Sequence, residues 1–285
     1  MSNMSNKFIV VTGATGGIGE EISLLLAKNG YNLILLNRDK AKSESLKQKI
    51  KQEYPTIEVD YFLVDLSIPK QIEETVEKIS KTYKSIDALI NNAGVLFKEK
   101  ILSESGNDMH FQVNVVAPYL LMELFKPLLM RSQAGSKFPL IVNTSSNAIF
   151  MSSALKVDEL KNPKKSGIFH SYANSKLALT VMSKRMANLY SSDGIKVFSI
   201  DPGGNRTDMT AGEAAPFFVR WFKMFLPPPS KGASYLTAPL LDKDFHASSG
   251  ALLSSGKIKS IPKKSDTEEK VNDLMKLLKD MTLGK

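Results

Sequence analysis

From Lys7 to Gly94 the chain alternates between short apolar runs and longer stretches whose apolar residues recur every three or four positions. The runs are "KFIVVTG", "NLILLN", "VDYFLVD" and "DALINNAG". Such runs, rich in β-branched and aliphatic residues and bounded by turn residues, read as strands buried on both faces. The stretches between them read as helices. Ile18, Ile22, Leu25 and Leu26 share one face and Gly30 stops it; Asp39 is placed to cap a helix that runs to about Tyr54; Ile72, Val76 and Ile79 are in phase. A long helical pattern follows from about Met109 to Met130, then a strand at "LIVNTSS", a helix from Ser171 to Tyr190 and a strand at "KVFSIDPG". Strands and helices in regular alternation imply βαβ units, hence an α/β doubly wound parallel sheet with helices on both faces. The rhythm breaks between about 207 and 260, which holds "AAPFFVRWFKMFLPPPS", a short helical segment and one last strand at "SGALLSSGK". An amphipathic terminal helix, "TEEKVNDLMKLLKD", completes the pattern. No composition shift marks a boundary, so residues 1–285 read as a single domain.

Several function classes are excluded or disfavoured. There is no cysteine, and so no disulfide, thiolate metal site or cysteine nucleophile. His110, His170 and His246 have no metal-ligand spacing, and His170 reads as a loop residue. The net charge of +9 comes from lysines interleaved with acids, which describes a solvated surface rather than a nucleic-acid face. An anionic ligand would benefit from that field. No apolar run approaches the roughly 18 residues of a membrane span, and "MSNMSNKFIVVTG" lacks the features of a signal peptide. A cytoplasmic protein is expected.

The first strand runs into "TGATGGIG", where Gly13, Gly17 and Gly19 let the backbone turn tightly and approach a ligand closely. The helix that begins there offers free N–H groups and a positive dipole end to a pyrophosphate. Gly13, Thr15, Gly16, Gly17, Ile18 and Gly19 are therefore candidates for a dinucleotide cradle, an ordinary strand-to-helix turn being the alternative. At the end of the second strand, "LLNRD" offers neutral Asn37 and cationic Arg38 where a ribose-binding carboxylate often stands. A guanidinium can grip a 2′-phosphate through charge-assisted hydrogen bonds. NADP(H) is expected over NAD(H), with Asp39 left to cap the next helix.

In "SYANSK", Tyr172 and Lys176 stand four residues apart on a predicted helix and can point into one site. A nearby cation lowers a phenol's pKa and makes it a usable acid and base near neutral pH. Chance pairing with an abundant lysine is the alternative.

The chain resembles the short-chain dehydrogenase/reductase family over nearly its whole length, and within it the retinol-dehydrogenase-like branch. The resemblance rests on "TGATGGIG", "VDL", "NNAG", "VN", "VNTSS", "YANSK" and "DPGGNRT", met in that order. It implies a Rossmann-type fold and an oxidoreductase that moves hydride between a nicotinamide and a carbonyl or alcohol. By the resemblance, Asp65, with Leu66 beside it, would bind the adenine, and Asn91, Ala93 and Gly94 would pass near the adenosine ribose. Pro202, Gly203 and Thr207 would lie near the nicotinamide carboxamide. Tyr172 would exchange the proton, Ser146 rather than Ser145 would hydrogen-bond the substrate oxygen, and Lys176 would also hold the nicotinamide ribose. Asn114 would position a water in a proton relay.

Asn205 stands where the family usually has valine, and the span between Ser146 and Tyr172 carries an insertion, "VDELKNPKKSG". "FFVRWFKMFL", Phe217 to Leu226, is open to three readings: a lid over an apolar substrate within a substrate-side segment of about 207–260, a membrane contact, or core packing. A small lipophilic substrate is expected. The resemblance also implies a homodimer or homotetramer. The competing readings are a sugar-nucleotide epimerase, against which the glycine spacing argues, and a non-catalytic NADP-binding sensor or scaffold, which would need no proton donor.

Overall fold

The computed structural model describes residues 7–132, 138–164, 168–204 and 227–282. Eight strands form one sheet in the order β3-β2-β1-β4-β5-β6-β7-β8. They are β1 (Phe8–Thr12), β2 (Asn32–Asn37), β3 (Val59–Leu63), β4 (Ala88–Asn91), β5 (Leu140–Thr144), β6 (Lys196–Asp201), β7 (Leu252–Ser254) and β8 (Lys257–Lys259). Every pairing from β3 across to β7 is parallel; β8 alone runs antiparallel.

The uninterrupted apolar runs follow from this layering. Successive side chains of a strand point to opposite faces. Ile9 and Val11 of β1 join the core on one face and Val10 the core on the other. On the first face lie α1 (Gly17–Lys28), α2 (Lys40–Glu53) and α7 (Pro229–Leu241). The second is covered by α3 (Pro69–Thr82), α5 (Ala117–Leu129), α6 (Ile168–Leu189) and α8 (Glu268–Thr282). Each aliphatic side chain buried this way contributes about 1.5–3 kcal/mol. Asp39 caps α2 as its position predicts, its carboxylate accepting from the Lys42 N–H at 3.0 Å. The order of strands reverses at β1 and β4, and the crevice beyond the carboxyl ends of such strands is where this architecture binds ligands.

Three expectations about elements change. The pattern from Met109 to Met130 is not one α-helix: α4 (Met109–Phe111) passes into a π turn, Gln112–Val116, before α5 begins. Pro118, near the start of α5, has no N–H to give to a regular α-helical ladder. The last expected strand, "SGALLSSGK", is a hairpin of β7 and β8, turned by Ser255 at φ 48 and Gly256 at φ 80. Two successive left-handed residues make the tight turn whose twist suits antiparallel strands. His170 lies within α6 rather than in a loop, and its Nε2 meets Glu159 Oε2 at 2.9 Å. Of the segment 207–260, α7 and the hairpin build the core and the sheet edge. Asn205, Thr207 and Phe217–Leu226 lie outside the described residues.

Candidate active site

The glycine turn is shaped by backbone contacts that leave no room for side chains. Gly13 and Gly17 hold φ of 63 and 52, left-handed values that suit glycine. A Cβ on Gly19 would sit 2.0 Å from the Gly13 carbonyl oxygen. Gly16 precedes α1 without a side-chain cap; the Gly19 N–H turns back to the Gly16 carbonyl at 3.1 Å, and those of Gly17 and Ile18 are left for a ligand. Neighbouring strand ends pin the turn. Asn37 Oδ1 accepts from the Ala14 N–H at 2.7 Å, and the Asn92 amide donates to the Thr12 and Gly13 carbonyls at 3.1 Å each. Thr12 Oγ1 accepts from the Ala93 N–H at 2.9 Å.

A cavity of about 1020 Å³ runs from this turn to the ends of β5 and β6. Of the residues expected to bind cofactor, Gly13, Thr15, Gly16, Gly17, Ile18, Gly19, Asn37, Arg38, Asp65, Leu66, Ala93, Gly94, Tyr172, Lys176, Pro202 and Gly203 all line it, as does Ser146. Arg38 is exposed at the rim with Lys40 and Lys42. The Asp65 carboxylate accepts from the Ser67 N–H and hydroxyl at 2.8 and 2.7 Å, which fixes its orientation.

Two expected residues stand apart. Asn91 does not line the cavity; its amide donates to Asn143 Oδ1 at 2.8 Å, tying β4 to β5. The alternation of side chains along β4 explains this, and its neighbour Asn92, within the same expected stretch, does the work at the turn. Asn114, wholly buried in the π turn, is not a cavity residue either. Its Oδ1 accepts from the Val95 N–H at 2.9 Å and its Nδ2 donates to the Val95 carbonyl and to Ser175 Oγ, each at 3.1 Å. A Cβ on Gly94 would lie 3.2 Å from Asn114 Oδ1 and 3.3 Å from Lys176 Nζ, so these three groups converge.

At the far end, α6 carries Tyr172 and Lys176 one turn apart. Both are buried, and the Lys176 ammonium donates to the Thr144 carbonyl at 2.7 Å. Burial pulls the lysine down to about 8, with the Asp201 charge opposing. The expected lowering of the tyrosine is not found in the protein alone. Burial pushes Tyr172 above its ordinary value; a hydrogen bond with Ser146 pulls it down, and Asp201 pushes it up further. The reason is geometric: the ammonium is turned to the Thr144 carbonyl and stands 6.0 Å from the phenol ring centre. Ser145 and Ser146 are distinguished plainly. The Ser145 hydroxyl is buried 2.7 Å from Thr180 Oγ1, whereas Ser146 is half-exposed at the head of a short turn.

Two further residues went unassigned in the sequence. His110 is buried with its ring centre 6.3 Å from that of Tyr172, and its Nε2 accepts from the Phe97 N–H at 3.0 Å. Asp201, at the end of β6, is a buried carboxylate that lines the cavity. No spacing rule marks either. Among the described residues there is no group of acids and histidines able to hold a metal, and no helix is long and apolar enough to cross a membrane.

Comparison with known proteins sets the chain among short chain dehydrogenases. The family profile described as short chain dehydrogenase matches residues 7–216. Retinol dehydrogenase 13 of Homo sapiens is 33% identical over 73% of this chain and 62% of its own length, so less than two thirds of that relative is matched. Retinol dehydrogenase 11 of Homo sapiens is 30% identical over 81% of this chain and 71% of its own. A chain of Shigella flexneri 2a described as a short chain dehydrogenase, complexed with NADP, superposes with a TM-score of 0.68. Its identity is 25%, over 89% of this chain and 98% of that one.

Proposed function

The chain belongs to the short chain dehydrogenase family, and we propose that it is an NADP-dependent oxidoreductase that interconverts a carbonyl and an alcohol. The observation that carries the reading is one cavity with an uncapped glycine turn at one end and Ser146, Tyr172 and Lys176 at the other. The residues present fit a dinucleotide. A Cβ on Gly13 would come within 3.0 Å of the Ala93 Cα, so the turn is kept bare and tight against β4. Asn37 Nδ2 and Thr144 Oγ1, both on cavity residues, are buried without a hydrogen-bond partner among the described residues. The N-terminus of α1 would take the pyrophosphate, Asp65 the adenine, and Arg38 with Lys40 and Lys42 the 2′-phosphate. The solved NADP complex supports that choice over NAD.

When bound there, the nicotinamide supplies hydride to a carbonyl carbon or accepts it from an alcohol. In reduction, Ser146 donates a hydrogen bond to the substrate oxygen as charge grows on it, and Tyr172 gives that oxygen its proton. In oxidation, the Tyr172 phenolate takes the alcohol proton back. Lys176, held by the Thr144 carbonyl, keeps a positive charge near the phenol, and Asn114 braces the Val95 backbone that borders it. Leu96, Ala148, Met151 and Phe169 line the cavity with Tyr172, which supports a lipophilic aldehyde, ketone or alcohol. A cytoplasmic location and pairing into a homodimer or homotetramer belong to the same proposal.

The test is oxidation of NADPH, followed by absorbance, for wild type and Tyr172→Phe with apolar aldehydes, ketones and quinones. Turnover reduced at least ~100-fold in the variant, the low end of what a general acid contributes, is expected. Tight NADPH binding with no turnover by the wild type across the panel would favour a non-catalytic sensor instead.

A further inference from the structure

Asp201 stands at the carboxyl end of β6, 3% exposed, and lines the same cavity as Tyr172 and Lys176. Both of its oxygens are tied. Oδ1 accepts from the Gly203 N–H at 2.9 Å, and Oδ2 accepts from the Ser254 hydroxyl at 2.6 Å. The backbone repeats the link, with the Ser255 N–H donating to the Asp201 carbonyl at 3.1 Å. The carboxylate is thus locked where the β7–β8 hairpin meets the Pro202–Gly203 turn. Gly203 there is left-handed at φ 75, and a Cβ on it would lie 2.9 Å from Ser255 Oγ. A carboxylate buried this deeply is costly unless a cation compensates it. No ion pair forms to Asp201 among the described residues. The buried cation that shares its cavity is Lys176.

We propose that Asp201 is a positioning residue whose fixed negative charge keeps Lys176 protonated at neutral pH, beside a Tyr172 phenol that burial already holds in its proton-donating form. The hydrogen bonds from Gly203 and Ser254 hold that charge in place. The inference rests on Tyr172 being the proton donor. The charge acts on both partners in the same direction, raising the lysine against its burial and raising the phenol as well. Among the described residues, few other ionisable groups face the pair. His110, on α4, abuts the Tyr172 ring and is itself 3.1 Å from Asp108 Oδ1. From β5 and the turn after it come only the Thr144 carbonyl and the Ser146 hydroxyl. Among the described residues, Asp201 is thus the buried carboxylate that shares the cavity with Tyr172 and Lys176.

The test reads Lys176 directly, in the cofactor-free protein, from the pH titration of 13Cε-labelled lysine resonances. The Lys176 signal is identified by its loss in Lys176→Met. Asp201→Asn keeps the shape while removing the charge; its oxygen can still accept from the Gly203 N–H, and its amide can donate to Ser254 Oγ with that hydroxyl turned round. It should move the Lys176 midpoint from about 8 to lower pH by about one unit, the low end of what a close charge does. Asp201→Ala is a second neutral variant and should do the same. Ser254→Ala removes a hydrogen bond but leaves the charge, and should leave the midpoint near that of wild type. An unmoved midpoint in the folded neutral variants would overturn the proposal, as would an equal shift in Ser254→Ala. With a turned-over substrate, the alkaline limb of the reduction rate should move down with the lysine in Asp201→Asn. Failure of the oxidoreductase reading is seen separately, as wild type without turnover, while the titration still reports on Asp201.

Discussion

Replacing Lys176 by methionine tests the charge state of the site through stability alone. The lysine is 3% exposed and its folded midpoint is about 8, against an ordinary value of 10.5. Below pH 8 both folded and unfolded chains hold the proton, and the buried charge costs stability in full. Above pH 8 the folded chain releases the proton, whereas the unfolded lysine keeps it to about 10.5. The unfolded state then binds more protons, so stability rises with pH. At about 1.4 kcal/mol per unit, the whole interval is worth about 3 kcal/mol. Between pH 7 and 9.5 the wild type should gain about 2 kcal/mol relative to Lys176→Met. Urea unfolding of both cofactor-free proteins across that range measures it. The range stops short of the buried tyrosines, such as Tyr119, pushed up by burial to about 12. The variant also abandons the Thr144 carbonyl, an offset of about 1–3 kcal/mol that does not change with pH. A stability gap that stays flat from pH 7 to 9.5, or moves the other way, would refute the reasoning.

Other perturbations follow from the cavity's walls. Gly19→Ala places a Cβ against the Gly13 carbonyl and the Asn92 amide, so the turn must shift; NADPH affinity, read by fluorescence quenching, should fall at least ~10-fold, about 1.4 kcal/mol. Arg38→Ala should weaken NADPH binding by a similar ~10-fold or more, the worth of a charge-assisted hydrogen bond, while leaving NADH binding unchanged. Asn92→Ala removes two hydrogen bonds to the Thr12 and Gly13 carbonyls and should cost about 1–3 kcal/mol of stability in urea unfolding.

Much of the site could be read without coordinates because its motifs are local. A glycine turn between a strand and a helix, an Asp one residue before a helix and a Tyr–Lys pair at i and i+4 each describe neighbours within a few residues. The readings that changed all depend on distant partners. Asn91 and Asn92 are equivalent in a motif, and only pairing of β4 with β1 and β5 sends one amide to Asn143 and the other to Thr12 and Gly13. The π turn at Gln112–Val116 interrupts a pattern that looks continuously helical, and there Asn114 reaches back to Val95. The short β8, with Ile258 65% exposed, carries too little apolar patterning to announce a strand, and forms because the hairpin turn returns it to β7.

What the sequence determined by itself is the succession of strands and helices, the bare turn, the cap on α2 and the Tyr172–Lys176 pair placed on one helical face. Periodicity and backbone conformational preference act over one or two turns, and they suffice for those. The tertiary structure decided the electrical state of the pair. Lys176 is held by Thr144, 32 residues away in the chain, and Asp201, which charges the site, is anchored by Ser254, 53 residues on. Desolvation and Coulomb interaction depend on distance in space, and folding brings these groups into one cavity. A sequence can place a phenol beside an amine, but burial sets which of them holds its proton.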